Sequence, residues 1–193
     1  MHPSAFLLLD AARMHGDIHQ ARELNPDHTC LYEGDSERFL SAVAPWLFSM
    51  QPGCAFAQWV AANGSRQSWG VLLRCDPDPV KLYKHLRNFL IVQGDDGKEM
   101  YFRYYDPRVL RVFLPTCEPE QLRTFFGPIE AFVAEDAEGM VVEYRLDALG
   151  GLEVIETNKD LKRYLLGEAA TETGESGASE HDPEPKKSWD FGY

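Results

Sequence analysis

The chain has 193 residues, a formal net charge of −12, 44% hydrophobic residues and 12% aromatic ones, which suits one packed domain with an appendage. The negative sign excludes non-specific attraction to nucleic acid or to an anionic membrane, since both select basic surfaces. The charge is uneven: from Glu168 to Tyr193 seven acids stand against two lysines, a net of −5, and the preceding 167 residues carry −7.

In chain order, "AFLLLD" (5–10) is a short apolar run closed by Asp10 and predicts a buried strand. Its five apolar residues lack a basic leader, so the run reads as neither a signal peptide nor a membrane span, and a soluble cytoplasmic protein is expected. The helix-prone "AARMHGDIHQAREL" follows. "TCLYEG" (29–34) predicts a second strand, and Asp35 or Ser36 can cap a short helix that stops before Pro45. "PWLFSM" (45–50) reads as extended, "AFAQWVAANG" (55–64) as a helix stopped by Asn63-Gly64, and "SWGVLLRC" (68–75) as another buried strand.

In "DPDPVKLYKHLRNFLIV", Asp78 sits where an N-cap belongs and Pro79 at the first helical position. A carboxylate accepts the orphan amide hydrogens of a first turn, and proline loses no hydrogen bond there. Leu82, Tyr83, Leu86, Phe89 and Leu90 then share one helical face. After the turn cluster "GDDGK" comes "MYFRYYDPRVLRVFLPT" (100–116), where strand alternation places Met100, Phe102 and Tyr104 on one side and Tyr101, Arg103 and Tyr105 on the other. Asp106-Pro107 repeats the cap-and-proline grammar before a short apolar helix that Pro115 ends. "EPEQLRTFFGP" (118–128) predicts a helix, and "IEAFVAED", "GMVVEYRLD" and "GLEVIET" a meander of three strands. "KDLKRYLLG" reads as a short helix. From 168 to 193 the polar, acidic composition predicts a disordered tail, closed by Trp189, Phe191 and Tyr193, a candidate docking plug.

The fold class expected is α/β. A mixed sheet with flanking helices spans 1–160, with a βα-rich sublobe at about 1–93 and a strand-and-helix sublobe at 94–160. Four cysteines, at 30, 54, 75 and 117, have no C-x-x-C or zinc spacing and read as reduced thiols in apolar surroundings. His15 and His19 are four apart, with no third ligand beside them. No nucleophile elbow, Walker loop or G-x-G-x-x-G fingerprint occurs. Asp106 therefore reads as a helix cap rather than a catalytic carboxylate, because two copies of Asp-Pro call for one explanation. Arg103, flanked by aromatic residues, is expected to pair with Asp106 or with carbonyls at a helix end, since its guanidinium stays charged and needs acceptors.

The blocks "FLLLDAAR", "CLYEG", "APWLF", "SWGVLLRC", "HLRNFLIV", "MYFRYYDPRVLRVFLPT" and "FFGPIEAF", in that order, resemble the type VI secretion effector adaptor, or chaperone, domain over roughly residues 5–132. The most specific block is Phe102, Arg103, Tyr105, Asp106, Pro107, Arg108, Val109 and Leu110. The resemblance implies a non-catalytic cytoplasmic protein of a Gram-negative bacterium, without cofactor or metal. Its implied partners are a toxic effector and, directly or through that effector, the VgrG spike. Arg103, Tyr105, Asp106, Pro107, Asp78 and Pro79 are then structural signature residues. Shielding a partner calls for an exposed apolar patch, expected on the 129–157 strands at Phe132, Val142 and Tyr144. Two rivals stand beside this reading: a hydrolase using Asp106 with Arg103 as anion clamp, and a small-ligand sensor domain.

Overall fold

A computed structural model describes residues 4–75, 78–94 and 97–167. The tail, with Trp189, Phe191 and Tyr193, lies outside the described residues. The chain runs β1 (Ser4–Asp10), α1 (Ala11–Met14), α2 (Ile18–Leu24), β2 (His28–Cys30), α3 (Gly34–Leu40), β3 (Pro45–Met50), α4 (Ala55–Asn63), β4 (Gly70–Cys75), α5 (Pro79–Arg87), β5 (Ile91–Gln93), β6 (Glu99–Tyr101), α6 (Pro107–Phe113), α7 (Pro119–Phe126), β7 (Ile129–Glu135), β8 (Met140–Leu146), β9 (Leu152–Asp160) and α8 (Leu161–Leu166). Seven strands form one sheet in the order β2-β3-β1-β4-β7-β8-β9, and β5 and β6 make a separate hairpin. The α/β architecture with flanking helices is as expected. Each ladder of the sheet is antiparallel, where a mixed sheet was expected.

Side-chain alternation splits the core into two layers. Phe6 and Leu8 of β1 point to one face, where Leu82 and Leu86 of α5, Leu110 and Phe113 of α6, and Leu122, Phe125 and Phe126 of α7 cover them. Leu7 and Leu9 point to the other, beneath Met14, Ile18, Phe56, Val60 and Leu165 of the remaining helices. Burial on both faces is why β1 is an unbroken apolar run. Where β1 and β4 pair, a Cβ on Gly70 would stand 2.0 Å from the Leu8 carbonyl oxygen, so that position takes no side chain.

The structure departs from the sequence reading in four places. The strand expected over 29–34 is His28–Cys30, and the helix after it starts at Gly34 with Glu33, not Asp35 or Ser36, at the N-cap position. The stretch 11–24 is two helices, because His15 and Gly16 both take positive φ (49° and 105°), so His15 and His19 do not share one helix. The 79–93 stripe stops being helical at Arg87, and Ile91–Gln93 becomes a strand paired with Glu99–Tyr101. The strand alternation of 100–105 ends at Tyr101: Phe102, Tyr104 and Tyr105 are all buried, in a loop and turn, whereas Met100 and Tyr101 are exposed. The Tyr104 hydroxyl donates to the Leu86 carbonyl at 2.7 Å, which anchors that loop to α5.

Candidate functional site

The Arg103–Arg108 segment reaches the C-terminal end of β1, an inner strand of the sheet, where Arg103 meets Asp10. Asp10 and Asp106 are the two aspartates buried there, 0% and 1% exposed. Each caps a helix: Asp10 Oδ1 accepts from the Ala12 amide at 3.0 Å, and Asp106 Oδ1 from the Arg108 amide at 3.0 Å. Each also holds one guanidinium. Arg103 donates to Asp10 Oδ2. Arg108 grips Asp106 with two parallel bonds, Nε to Oδ1 at 3.0 Å and Nη2 to Oδ2 at 2.6 Å, the bidentate geometry that suits guanidinium to carboxylate. The cap expected at Asp106 is therefore present, and Asp78 likewise accepts from Val80 and Lys81 at 3.1 and 3.0 Å. Arg103's partner differs from the one expected. It is Asp10, 93 residues away in sequence, while Asp106 is taken by its neighbour Arg108.

The two carboxyls titrate in opposite directions. Burial raises the pKa of Asp10 above the usual range, and the hydrogen bond and charge of Arg103 offset only part of that rise. Burial also acts on Asp106, but the hydrogen bonds and charge of Arg108 outweigh it and hold its pKa low. The arginines bury their stems and keep the guanidinium edge wet: the side chains of Arg103 and Arg108 are 40% and 48% exposed. Beside them Tyr105 is buried, its pKa raised first by desolvation and then by the neighbouring Tyr32 and Asp10.

Tyr32 links this buried network to the surface. Its ring lies 6.0 Å from that of Tyr101, and both line an open cleft of about 220 Å³ with Glu33, Ser36, Arg87 and Ile91. At its rim Glu33 pairs with Arg87 and accepts from the Tyr83 hydroxyl at 2.9 Å. Those two hydrogen bonds hold the Glu33 pKa low, whereas burial and Glu33 together push Tyr83 up to about 12.

A second ionic cluster lies across the sheet. Glu143 accepts from Tyr164 at 2.6 Å and from Arg74 at 3.2 Å, and pairs with Arg145. It borders an open cleft of about 810 Å³ that Gln51, Lys159 and Gly167 also line. Neither of these clefts, nor those beneath Trp69 and beside His28, is lined by Asp10, Arg103 or Asp106. Among the described residues, no group of three His, Cys, Asp or Glu side chains could hold a metal ion. Cys30 and Cys75 are buried, Cys54 and Cys117 partly so, and burial pushes the Cys117 thiol up to about 12. No described helix is long and apolar enough to cross a membrane.

Phe132, Val142 and Tyr144, expected as an exposed patch, are 0%, 6% and 6% exposed. Phe132 stacks on Phe125 at 5.0 Å, because α7 covers that face of β7. They therefore belong to the core. Sequence reasoning missed Asp10 as the partner of Arg103. Its signal was a lone acid closing an apolar strand, the one position there that a buried cation can satisfy.

In a comparison with known families, the sequence model described as "Domain of unknown function (DUF4123)" matches residues 5–124. No curated protein and no solved structure matches.

Proposed function

The chain belongs to the DUF4123 family, and from that premise we propose that it is a non-catalytic adaptor or chaperone. It binds a type VI secretion effector in the bacterial cytoplasm and promotes that effector's loading onto the VgrG spike. The premise for the partners is the resemblance of the blocks between 5 and 132 to such adaptors. The observation that carries the non-catalytic part is the use made of the signature block. Asp106 spends its oxygens on a helix amide and on Arg108, and Arg103 reaches back to Asp10. A hydrolase reading needs Asp106 and Arg103 to converge on one substrate, but each has a different partner within the fold. A guanidinium bound to a buried carboxylate braces two segments, β1 and the loop before α6. Tyr32, which neighbours this network, lines one wall of a surface cleft.

Co-expression with the products of the flanking genes, one of which this reading requires to be a toxin, tests this. A stable complex that survives gel filtration, and delivery of the toxin that fails when this chain is deleted, is the expected result. A well-folded toxin that neither co-purifies nor depends on this chain for delivery overturns it. Turnover of an ester, phosphate or glycoside that Asp106→Asn abolishes without unfolding the chain overturns it equally.

A further inference from the structure

We infer that the cleft between α3 and the β5–β6 hairpin is the docking groove, and that its occupant is a partner's amphipathic helix with an apolar stripe flanked by Lys or Arg. This deepens the adaptor reading and rests on it for the partner being another protein.

The argument starts from α3. Every one of its residues is exposed, so this helix contributes nothing to the core. Yet it is not polar all round. Ser36, Phe39 and Leu40 stand at i, i+3 and i+4, hence on one face, and Ser36 lines the cleft. Phe39 is 73% exposed, and Val43, in the turn that follows, 48%. The opposite wall is the hairpin, where Tyr101 and Ile91, paired across its two strands, line the same cleft at 61% and 49% exposed. Single exposed apolar residues need no explanation, but the Ile91–Tyr101 pair on one wall and, on the helix face that continues from Ser36, the exposed Phe39 and Leu40 make a patch of the kind that marks an interaction site. A helix laid in such a groove inserts anchors at this same spacing.

Charge selects the occupant. Asp35 and Glu37 lie on α3, on either side of Ser36, and Glu99 on the hairpin beside Lys98; Arg38 is the one cation of α3, and Glu33 and Arg87 satisfy each other. Arg38 lies over the Phe39 ring at 5.6 Å. A second copy of a chain with charge −12 would bring acid to acid, and so would the 168–193 segment with its net −5. A basic rim on the partner suits this one.

The test uses the full chain and two labelled peptides, each about 18 residues long so that they form helices on binding. One is an amphipathic Leu/Lys helix, the other its Leu/Glu counterpart, read by fluorescence anisotropy. The Leu/Lys peptide is expected to bind at least tenfold more tightly, and to weaken as salt is raised. Phe39→Asp with Tyr101→Asp adds two negative charges while removing one exposed aromatic ring from α3 and one from the hairpin. General attraction of a cationic peptide to an acidic protein would therefore strengthen, whereas groove binding falls at least tenfold. Both positions are exposed, so the variant melts within about 3 °C of its parent. Binding that is unchanged or stronger in the variant, equal binding of both peptides, or a groove-dependent dimer of the chain in sedimentation overturns the inference. The same variant, co-expressed with the toxin, separates the two readings. A toxin retained by Phe39→Asp/Tyr101→Asp sinks the groove and leaves the adaptor standing. A peptide that binds in the groove beside a toxin that never co-purifies leaves the groove and sinks the adaptor.

Discussion

Replacing Arg103 by Met keeps most of the stem's apolar contact and removes the charge that faces Asp10. Asp10 is fully buried, its second oxygen accepts only one backbone amide, and the lost partner leaves a carboxylate with no cation in place. Breaking a fully buried pair costs about 3–5 kcal/mol. Arg103 is 40% exposed, so water already screens part of the interaction and can partly refill the site; about 2 kcal/mol at pH 7 is the expected loss. Asp10→Asn retains a capping oxygen for the Ala12 amide and leaves Arg103 facing water, at a cost of about 1 kcal/mol. The double variant should recover about 1 kcal/mol relative to the sum of the two, which measures the pair itself. The pH dependence has a definite sign. The folded pKa of Asp10 is already raised, and without the lowering influence of Arg103 it rises further. A raised carboxyl pKa means that the native state takes up its proton first, so the deficit of Arg103→Met is largest near neutrality. It shrinks as pH falls from the variant's folded pKa to the parent's lower one, and is constant below that. Urea titrations between pH 7 and pH 4 read both effects from the midpoint at constant slope. A deficit below about 0.5 kcal/mol, or one of the same size at every pH, would refute the brace.

At Asp106 the lowered pKa gives the opposite sign: its contribution is present above the unfolded pKa and disappears as pH falls through the folded one. Asp106→Ala, which removes both cap and ion pair, should cost about 2–3 kcal/mol at pH 7 and progressively less in acid, whereas Asp106→Asn keeps the cap and loses about half of that. Gly127 has a φ of 49°, and a Cβ there would stand 2.3 Å from the His85 ring, which itself bonds the Phe125 carbonyl; Gly127→Ala should lose about 2–3 kcal/mol in thermal unfolding. Phe132→Ala opens a cavity between β7 and α7 and should cost about 3–5 kcal/mol, and a partner-contact role instead predicts lost binding at unchanged melting temperature.

The parts of the fold legible in the sequence are those specified locally. Asp78-Pro79 and Asp106-Pro107 each announce a helix start whose chemistry is complete within three residues, and both caps form as read. The buried strands declare themselves because an apolar run such as Leu7–Leu9 is covered on both faces. That same double burial hides which strand residues are accessible. Six of the seven residues of β7 are buried, so no alternation distinguishes an outward Phe132 from an inward one. The stripe through Phe89 and Leu90 continues at helical spacing after the helix has ended, because those side chains serve the core from the loop before β5. The Asp10–Arg103 contact lies furthest out of reach. It joins residues 93 apart through the closure of the sheet, and no local spacing encodes it. The exposed face of α3 was read only as a short helix, since its solvent-facing phenylalanine is indistinguishable from a core one until the rest of the chain is in place.

The central claim is that the signature block is internal bracing for a protein whose work is binding. Isothermal titration into this chain of the toxin that the reading requires a flanking gene to encode, repeated at several temperatures, tests it most directly. A saturable complex with a negative heat-capacity change, the mark of apolar burial, that weakens at least tenfold in the Phe39→Asp/Tyr101→Asp variant is the predicted result. The absence of binding heat and of any complex at every temperature, with both proteins folded, would contradict it.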